Sequence, residues 1–272
     1  MPSYVITGVS KGLGWEFLTQ LSSDPNNIVI GIVRNKPATD KRVAEELAGR
    51  RNITILAADL TNYNSLKTAA SDAGAVTGGK LDYLIANAGS VSQYDAYDDI
   101  GTLGTQDPEK FTKQFHEILD TNVVGQVHLY NLFMPQILAG DVKKVILISS
   151  GMGDIEITKD LDLAVAPIYA TSKAAANMIT AKFSAQYKKD GVLFLSICPG
   201  MVEVGHFNQM SPEQAEKLPE MIAKFQRYNP HFKGPITPPE SIKAVLSLVE
   251  RSSVENGDGG DYMSHFGTRR WI

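Results

Sequence analysis

The segment PIYATSK, residues 167–173, places a tyrosine four positions before a lysine. On a helix, positions i and i+4 lie on the same face, so Tyr169 and Lys173 would point in the same direction. A phenol has an unperturbed pKa of about 10, and a nearby ammonium favours the phenolate and lowers that pKa. The pair could therefore give a proton to a reacting oxygen near neutral pH. The alternative is an amphipathic helix with a partly buried tyrosine and a solvated lysine.

A second candidate for chemistry is the glycine-rich segment TGVSKGLG at residues 7–14. Gly8 permits a tight turn, Gly12 lets the backbone approach a pyrophosphate, and Gly14 allows a helix to pack closely on a strand. The N–H groups and the dipole of a helix that starts near Gly12 would face the anion. The segment therefore predicts a phosphate site, although its spacing differs from the usual G-x-G-x-x-G.

The end of the second apolar run discriminates between cofactors. An acidic residue there would hold the ribose 2′-hydroxyl of NAD, whereas an arginine accommodates the 2′-phosphate of NADP. The run ends in Val33 and Arg34, and Lys11 adds a second cation inside the glycine loop. These cations favour NADP(H). The alternative is that both are solvated surface charges.

Short apolar runs alternate with longer stretches of helical spacing, and these elements must position the candidate residues. The runs lie at 3–7, 28–33, 53–57, 81–85, 144–148 and 192–197, and the helical stretches at 12–22, 41–49, 62–76, 108–139 and 168–189. Nearly continuous apolar strands are buried on both faces, and their alternation with helices implies right-handed βαβ crossovers. We predict an α/β fold: one Rossmann-like, doubly wound parallel sheet with helices on both faces, in a single domain over residues 1–272.

Two segments depart from this alternation, and both follow strand ends, where open α/β sheets bind ligands. Residues 90–107 are predicted to form a loop, and residues 201–237 a substrate lid. The methionines and apolar residues of the second segment suit either an adaptable pocket or the inner face of a helix that covers the core. They are Met201, Val202, Phe207, Met210, Met221, Phe225, Tyr228 and Phe232.

Composition excludes several function classes. A formal net charge of −4 argues against a nucleic-acid binder and against a protein held electrostatically on an anionic membrane. The chain has neither a run near the roughly 20 apolar residues of a membrane span nor a signal-peptide pattern. The single cysteine, Cys198, argues against disulfides and against a cysteine-based zinc site, and the histidines lack metal-ligand spacing. We expect a cytosolic protein without a metal site.

In their order along the chain, the motifs resemble those of the short-chain dehydrogenase/reductase family, over most of its length. They are TGVSKGLG (7–14), Asp59-Leu60, ANAG (86–89), TNVVG (121–125), ISSG (148–151), YATSK (169–173) and CPG (198–200). The resemblance implies a carbonyl-reductase-like enzyme that reduces a ketone or aldehyde with NADPH. It also implies a homodimer or homotetramer.

The resemblance implies roles for individual residues. The catalytic residues would be Asn122, Ser150, Tyr169 and Lys173. Ser150 would polarise the substrate oxygen, Lys173 would also bind the nicotinamide ribose, and Asn122 would support a proton relay. Asp59 would contact the adenine. The full set of cofactor contacts would be Gly8, Ser10, Lys11, Gly12, Leu13, Gly14, Arg34, Asp59, Leu60, Asn87, Ala88, Gly89, Tyr169, Lys173, Pro199, Gly200 and Val202, the last three along the nicotinamide.

Several alternatives stay open. Ser149 competes with Ser150 for the role of catalytic serine. The spacing from Ser150 to Tyr169 is longer than is usual in the family, so residues 151–167 form either a loop near the substrate mouth or a surface excursion. Val204 stands where the family often has a threonine that binds the carboxamide. The alternative function is a non-catalytic NADP(H)-binding protein, but such a binder would need the glycine loop and not Tyr169.

Overall fold

The structure is a computed structural model that describes residues 1–205 and 212–272. Phe207 and Met210 of the expected lid lie outside the described residues. Among the described helices, none combines the length and the hydropathy needed to cross a membrane.

Seven parallel strands form one sheet in the order β3-β2-β1-β4-β5-β6-β7. They are β1 (Ser3–Thr7), β2 (Ile28–Val33), β3 (Ile53–Ala57), β4 (Tyr83–Ala86), β5 (Lys144–Ile148), β6 (Leu193–Cys198) and β7 (Tyr262–Ser264). β1 pairs with β2 on one side and with β4 on the other, so the winding direction reverses between β1 and β4. Open α/β sheets bind ligands at such a switch point. The predicted Rossmann-like, doubly wound parallel sheet is confirmed.

Within the described residues, ten α-helices connect or follow the strands. They are α1 (Gly12–Leu21), α2 (Lys36–Glu46), α3 (Tyr63–Thr77), α4 (Ile100–Gln106), α5 (Pro108–Leu119), α6 (Gly125–Ala139), α7 (Ile155–Asp160), α8 (Pro167–Tyr187), α9 (Pro212–Tyr228) and α10 (Pro238–Arg251). Helices cover both faces of the sheet, and each face has its own apolar core. One core holds residues of α3, α6 and α8, including Leu66, Phe133 and Phe183. The other holds residues of α1 and α10, including Phe17 and Ile242.

A third apolar cluster lies outside these two cores and joins segments that are far apart in the sequence. Ile157 of α7, Phe225 of α9 and Trp271 near the C-terminus are buried in it. The partly buried residues packed against them include Met201, Met221, Tyr228 and Phe232. We call this cluster, with its three segments, the cover. Met221, Phe225 and Tyr228 contribute to it from α9, and the 151–167 insertion packs into it.

The structure differs from the expected elements in the first part of the insertion after β4. Residues 90–107 were expected to be a loop, but they contain α4. Asp99 caps this helix, since its side chain accepts a hydrogen bond from the N–H of Thr102 at 2.8 Å. Two glycines and two threonines in α4 have low helix propensity, so the sequence pattern hid it.

The expected helix at 108–139 is also wrong in detail. It is divided into α5 and α6 by a π-helical segment, Asp120–Val124, that contains Asn122. A π-helical segment is a rare, short bulge inside an α-helix, so apolar periodicity alone does not predict it. α2 begins at Lys36, earlier than expected, because Asn35 caps it. α10 and β7 are additions that the sequence pattern did not indicate.

Candidate active site

A cavity of about 630 Å³ lies along the carboxyl ends of the parallel strands. The predicted residues that line it are Gly8, Ser10, Lys11, Gly12, Leu13, Gly14, Arg34, Asp59, Leu60, Asn87, Ala88, Gly89, Tyr169, Lys173 and Pro199. Asn122 and Ser150 are not among the lining residues, whereas the competing serine, Ser149, is one of them. Gly200 and Val202, which the resemblance places along the nicotinamide, are also not among the lining residues. A Cβ at Gly200 would lie 2.7 Å from the His265 ring, and Val202 forms a β-bridge with Ile236.

The glycine loop leaves its backbone open to the cavity. Gly8 has φ of +77°, a conformation that favours glycine, and a Cβ at Gly14 would collide with the carbonyl oxygen of Gly8. Among the described residues, a Cβ at Gly12 would meet only Val204, 3.5 Å away on the loop that follows β6. Lys11, at the N-cap of α1, does not cap the helix with its side chain. The first N–H groups of α1 can therefore meet an anion, and the cradle fits a pyrophosphate.

Two groups of cations near the cavity differ in their pairing. Lys36 and Arg42 on α2 are paired with acidic residues one helical turn further on, each at 2.8 Å. Lys11 and Arg34 are exposed, line the cavity, and form no ion pair with another described residue. Lys11 and Arg34 are therefore exposed cations of the cavity wall, in addition to the buried Lys173.

The end of β4 is fastened to the glycine loop. Asn87 donates from Nδ2 to the carbonyl oxygen of Thr7 at 2.9 Å, and the Thr7 hydroxyl accepts from the N–H of Ala88 at 2.9 Å. Asp59, after β3, accepts the N–H of Thr61 at 2.9 Å. These bonds hold the strand ends that form the cavity wall.

Asn122 is buried in the π-helical segment and bonds in three directions. Its Oδ1 accepts the N–H of Ser90 at 2.7 Å, and its Nδ2 donates to the carbonyl oxygen of Ser90 at 2.9 Å and to the Ser172 hydroxyl at 3.0 Å. Asn122 thereby joins the end of β4 to α8. The amide has enough donors and acceptors to hold this backbone, since an asparagine offers both.

Tyr169 and Lys173 lie on the same side of α8 and both line the cavity, as the spacing predicted. The Lys173 ammonium is 5.7 Å from the centre of the Tyr169 ring. It donates to the carbonyl oxygen of Ile148 at 2.9 Å, at the end of β5. The side chains meet because one helical turn separates them.

The expectation that Lys173 lowers the pKa of Tyr169 is wrong for this structure. Burial raises the pKa of Tyr169 to about 12, and the charges of Cys198 and Asp95 add to the rise, while a hydrogen bond with Ser150 opposes it. Burial also lowers the pKa of Lys173 to about 8, so its ammonium is itself poorly tolerated. Desolvation is the largest contribution to the pKa shift of each group.

The two serines after β5 have different partners. The Ser149 hydroxyl donates to Oδ1 of Asn177 at 2.6 Å, away from Tyr169. The Ser150 side chain forms the hydrogen bond with Tyr169 and also accepts the N–H of Met152 at 3.2 Å. Ser150 is therefore the serine whose side chain contacts the Tyr169 phenol, while Ser149 is the serine that lines the cavity.

The C-terminal segment contacts the loop after β5 that carries Ser149, Ser150 and Gly151, which we call the serine loop. The sequence did not indicate this contact. The Tyr262 hydroxyl donates to the carbonyl oxygen of Ser150. Trp271 stacks on Tyr262, with ring centres 4.3 Å apart, and packs on Gly151, where a Cβ would lie 2.7 Å from Trp271. The thiol of Cys198 accepts the N–H of Gly151 at 3.1 Å.

Sequence reasoning missed several residues of the cavity wall. They include Ser90, Val91, Gln93, Thr121 and Gly205. Each lies in or near one of the motifs ANAG, TNVVG and CPG, at a strand or helix end. Proximity to these motifs was the signal that could have found them.

Comparisons with known proteins agree with this architecture. The profile of the short chain dehydrogenase family matches residues 3–215. The chain is 54% identical over 272 residues to the short chain dehydrogenase virK of Hypocrea virens, and 48% identical over 273 residues to the short-chain dehydrogenase/reductase iacC of Pestalotiopsis fici. Both alignments cover 100% of each chain. The crystal structure of an NADPH-bound carbonyl reductase from chicken fatty liver superposes with a TM-score of 0.77 at 23% identity, over 98% of both chains, and shows the same fold.

Because the family profile spans most of the chain and both curated relatives span all of it, the chain belongs to the short chain dehydrogenase family of nicotinamide-dependent oxidoreductases.

Proposed function

We propose that this protein reduces a hydrophobic ketone or aldehyde to an alcohol with NADPH, and that Tyr169 gives the proton. The observation that carries the proposal is the meeting of Tyr169 and Lys173 on the wall of the same cavity that contains the glycine loop. A non-catalytic nucleotide binder would need the loop alone. The bond between Ser150 and Tyr169 further supports an enzyme, because it places a second hydroxyl beside the proton donor.

The residues present fit a bound NADP(H). The open backbone of the glycine loop would hold the pyrophosphate, and Lys11 and Arg34 would hold the 2′-phosphate, since both are free of ion pairs with described residues. Asp59 would meet the adenine, and Lys173 the nicotinamide ribose. When bound, the cofactor would supply the hydride. NADPH is also the cofactor bound to the carbonyl reductase from chicken fatty liver.

The side chains would divide the remaining chemistry between them. Ser150 would donate a hydrogen bond to the substrate oxygen, and Tyr169 would give its proton to that oxygen as negative charge develops on it. Since burial raises the pKa of Tyr169 to about 12, the phenol stays protonated at neutral pH. A protonated phenol is the form that reduction needs, whereas alcohol oxidation needs the phenolate.

The apolar substrate class is supported by the cover. Met152, beside Ser150, belongs to the cover and packs against its aromatic residues. Thioethers and aromatic rings adapt to apolar ligands of varied shape. A panel of carbonyl compounds that differ in apolar size tests this point, and turnover confined to small polar carbonyls would contradict it.

Steady-state oxidation of NADPH, followed by absorbance with a carbonyl panel, tests the reaction. Wild type should turn over, and Tyr169→Phe should lose activity by about 100-fold or more, since it removes a positioned acid. Tyr187→Phe is the matched control, because Tyr187 lies about five turns further along the same helix. Equal rates for wild type and Tyr169→Phe would favour the non-catalytic binder.

The proposal includes a cytosolic homodimer or homotetramer, as the family resemblance implies. Analytical ultracentrifugation of the purified chain tests the assembly, and a single species at the mass of one chain would contradict it.

A further inference from the structure

Asp95, in the segment between β4 and α4, is fully buried, with 0% of its surface exposed. Its Oδ2 accepts hydrogen bonds from the N–H groups of Ile168 at 2.8 Å and of Tyr169 at 3.0 Å. These N–H groups belong to the first turn of α8, where a helix offers them no partner of its own. Ala166, at the N-cap position, has no side-chain acceptor. Asp95 therefore caps α8 from a distance of 73 residues along the chain.

The main chain of the same residue holds the entry to the helix. The carbonyl oxygen of Asp95 accepts the N–H of Ala166 at 2.9 Å. Ala166 has φ of +54°, in the left-handed region that a residue with a Cβ rarely adopts. A residue in that region persists only where its surroundings fix it. The β-bridge between Asp99 and Val165 lies beside this turn and belongs to the same two segments.

We propose that Asp95 is a positioning residue for Tyr169 in the reaction proposed above, on which this inference rests. Tyr169 is the third residue of α8, in the turn that Asp95 fixes, whereas Lys173 lies a full turn deeper and is held by Ile148. Loosening the first turn would therefore move the phenol and leave the lysine in place. Proton transfer would suffer while nucleotide binding would not.

The charge of Asp95, like its hydrogen bonds, stabilises the first turn of α8. A carboxylate at the N-terminus of a helix interacts favourably with the helix dipole. The same carboxylate adds to the rise in the pKa of Tyr169, which keeps the phenol protonated. Burial raises the pKa of Asp95 itself, while the two N–H donors oppose that rise. Within the described residues, its Oδ1 has no hydrogen-bond partner, so the contacts to α8 are the ones that hold this side chain.

The test compares Asp95→Ala with Asp95→Asn, which keeps an oxygen for the two N–H groups. Asp95→Ala should lower kcat by about 10- to 100-fold, because small displacements of a reacting group have effects of that size. The dissociation constant of NADPH, measured by its fluorescence, should stay within about twofold of wild type, since the glycine loop, Arg34 and Lys173 do not move. Asp95→Asn should recover most of the lost kcat.

Asp107→Ala is the matched control. Asp107 caps α5 through the N–H of Lys110 at 2.9 Å and is exposed, so its loss removes a cap of the same kind away from Tyr169. Its kcat should equal that of wild type. A wild-type kcat in Asp95→Ala would overturn the inference, as would Asp95→Asn that folds and is as slow as Asp95→Ala.

Hydrogen–deuterium exchange of the cofactor-free proteins separates this inference from the proposed function. Peptides that contain Ile168 and Tyr169 should exchange about tenfold faster in Asp95→Ala than in wild type. In Asp107→Ala their exchange rate should equal that of wild type. If wild type gives no turnover but the exchange increases, the reaction is wrong and the placement of Tyr169 by Asp95 stands. If wild type turns over and the exchange does not change, the placement is wrong. Should Asp95→Ala fail to fold, the hydrogen exchange and kcat of Asp95→Asn decide. A kcat near wild type, with an increase in exchange at Ile168 and Tyr169 that is smaller than tenfold, supports the inference. Unchanged exchange contradicts it.

Discussion

The ammonium nitrogen of Lys173 donates a hydrogen bond to the main-chain oxygen of Ile148 at 2.9 Å. This contact fastens α8 to the end of β5 and sets the lysine beside Tyr169 in the cavity wall. Lys173 is only 7% exposed, and such burial disfavours the charged form, so its pKa is lowered to about 8. The burial that accompanies this placement therefore imposes an electrostatic cost on the fold.

That cost predicts a pH dependence of stability. Because the pKa of Lys173 falls from 10.5 in the unfolded chain to about 8 in the fold, the unfolded state binds more protons between these values. Stability from this group therefore rises as pH increases from about 8 to about 10.5. Relative to Lys173→Met, wild type should gain up to about 3 kcal/mol of unfolding free energy over this window. Urea denaturation of both proteins at pH 7, 9 and 10.5 measures the difference, and a difference independent of pH would contradict the assignment.

Gly14 should be indispensable for nucleotide binding. A Cβ at this position would collide with the carbonyl oxygen of Gly8, so Gly14→Ala must displace the loop backbone. We expect NADPH binding to weaken by at least about 10-fold, measured by fluorescence titration. Gly104→Ala is the control, because a Cβ there meets no described atom within 4 Å and alanine favours α4 by about 0.5–1 kcal/mol. If both variants bind NADPH like wild type, the glycine loop is not the cradle.

Substitutions of Ser150 and Ser149 by alanine should have different effects on the rate. Ser150→Ala removes the hydroxyl that bonds Tyr169, so kcat should fall by about 100-fold, the effect expected from loss of one oxyanion donor. Ser149→Ala removes a bond to Asn177 and should lower stability by about 1 kcal/mol while kcat changes little. Initial rates and thermal melts of both variants measure this. A larger loss of kcat in Ser149→Ala than in Ser150→Ala would reverse the assignment.

These residues also show how far the sequence could be read. The strands and the glycine loop followed from local pattern, because apolar runs and glycine conformations are properties of a few neighbouring residues. The same-side placement of Tyr169 and Lys173 followed from helical spacing. The caps on α8 and the support of Ser150 by Tyr262 could not be predicted, since both join segments more than 70 positions apart. The prediction of a lowered pKa for Tyr169 was wrong for a related reason. Desolvation depends on packing, and the spacing of residues in the sequence does not reveal packing.

Arg34 should determine the choice between cofactors. It faces the cavity without an ion pair to another described residue, so it can meet a 2′-phosphate. Arg34→Asp should weaken NADPH binding by about 10- to 100-fold, the equivalent of losing one charge-assisted hydrogen bond, and should improve the use of NADH. Lys41→Ala is the control, because Lys41 on α2 is exposed and pairs with Glu45. Ratios of kcat/KM for the two cofactors measure the change, and an unchanged ratio in Arg34→Asp would exclude the arginine as the discriminating residue.

Trp271 should couple the C-terminus to the stability of the cover and to the serine loop. It is 2% exposed, stacks on Tyr262 and packs on Gly151, next to Ser150. Trp271→Ala should therefore cost about 3–5 kcal/mol in unfolding free energy, the usual range for a buried tryptophan, and should lower kcat because Ser150 loses its support. Ile155→Ala is the control, since Ile155 lies on α7, another segment of the cover, but is 77% exposed. Its cost in unfolding free energy should stay within about 0.5 kcal/mol. Chemical denaturation and initial rates measure both effects. A loss below about 1 kcal/mol in Trp271→Ala would mean that the cavity left by the ring is refilled, and that the C-terminal segment does not hold the cover in place.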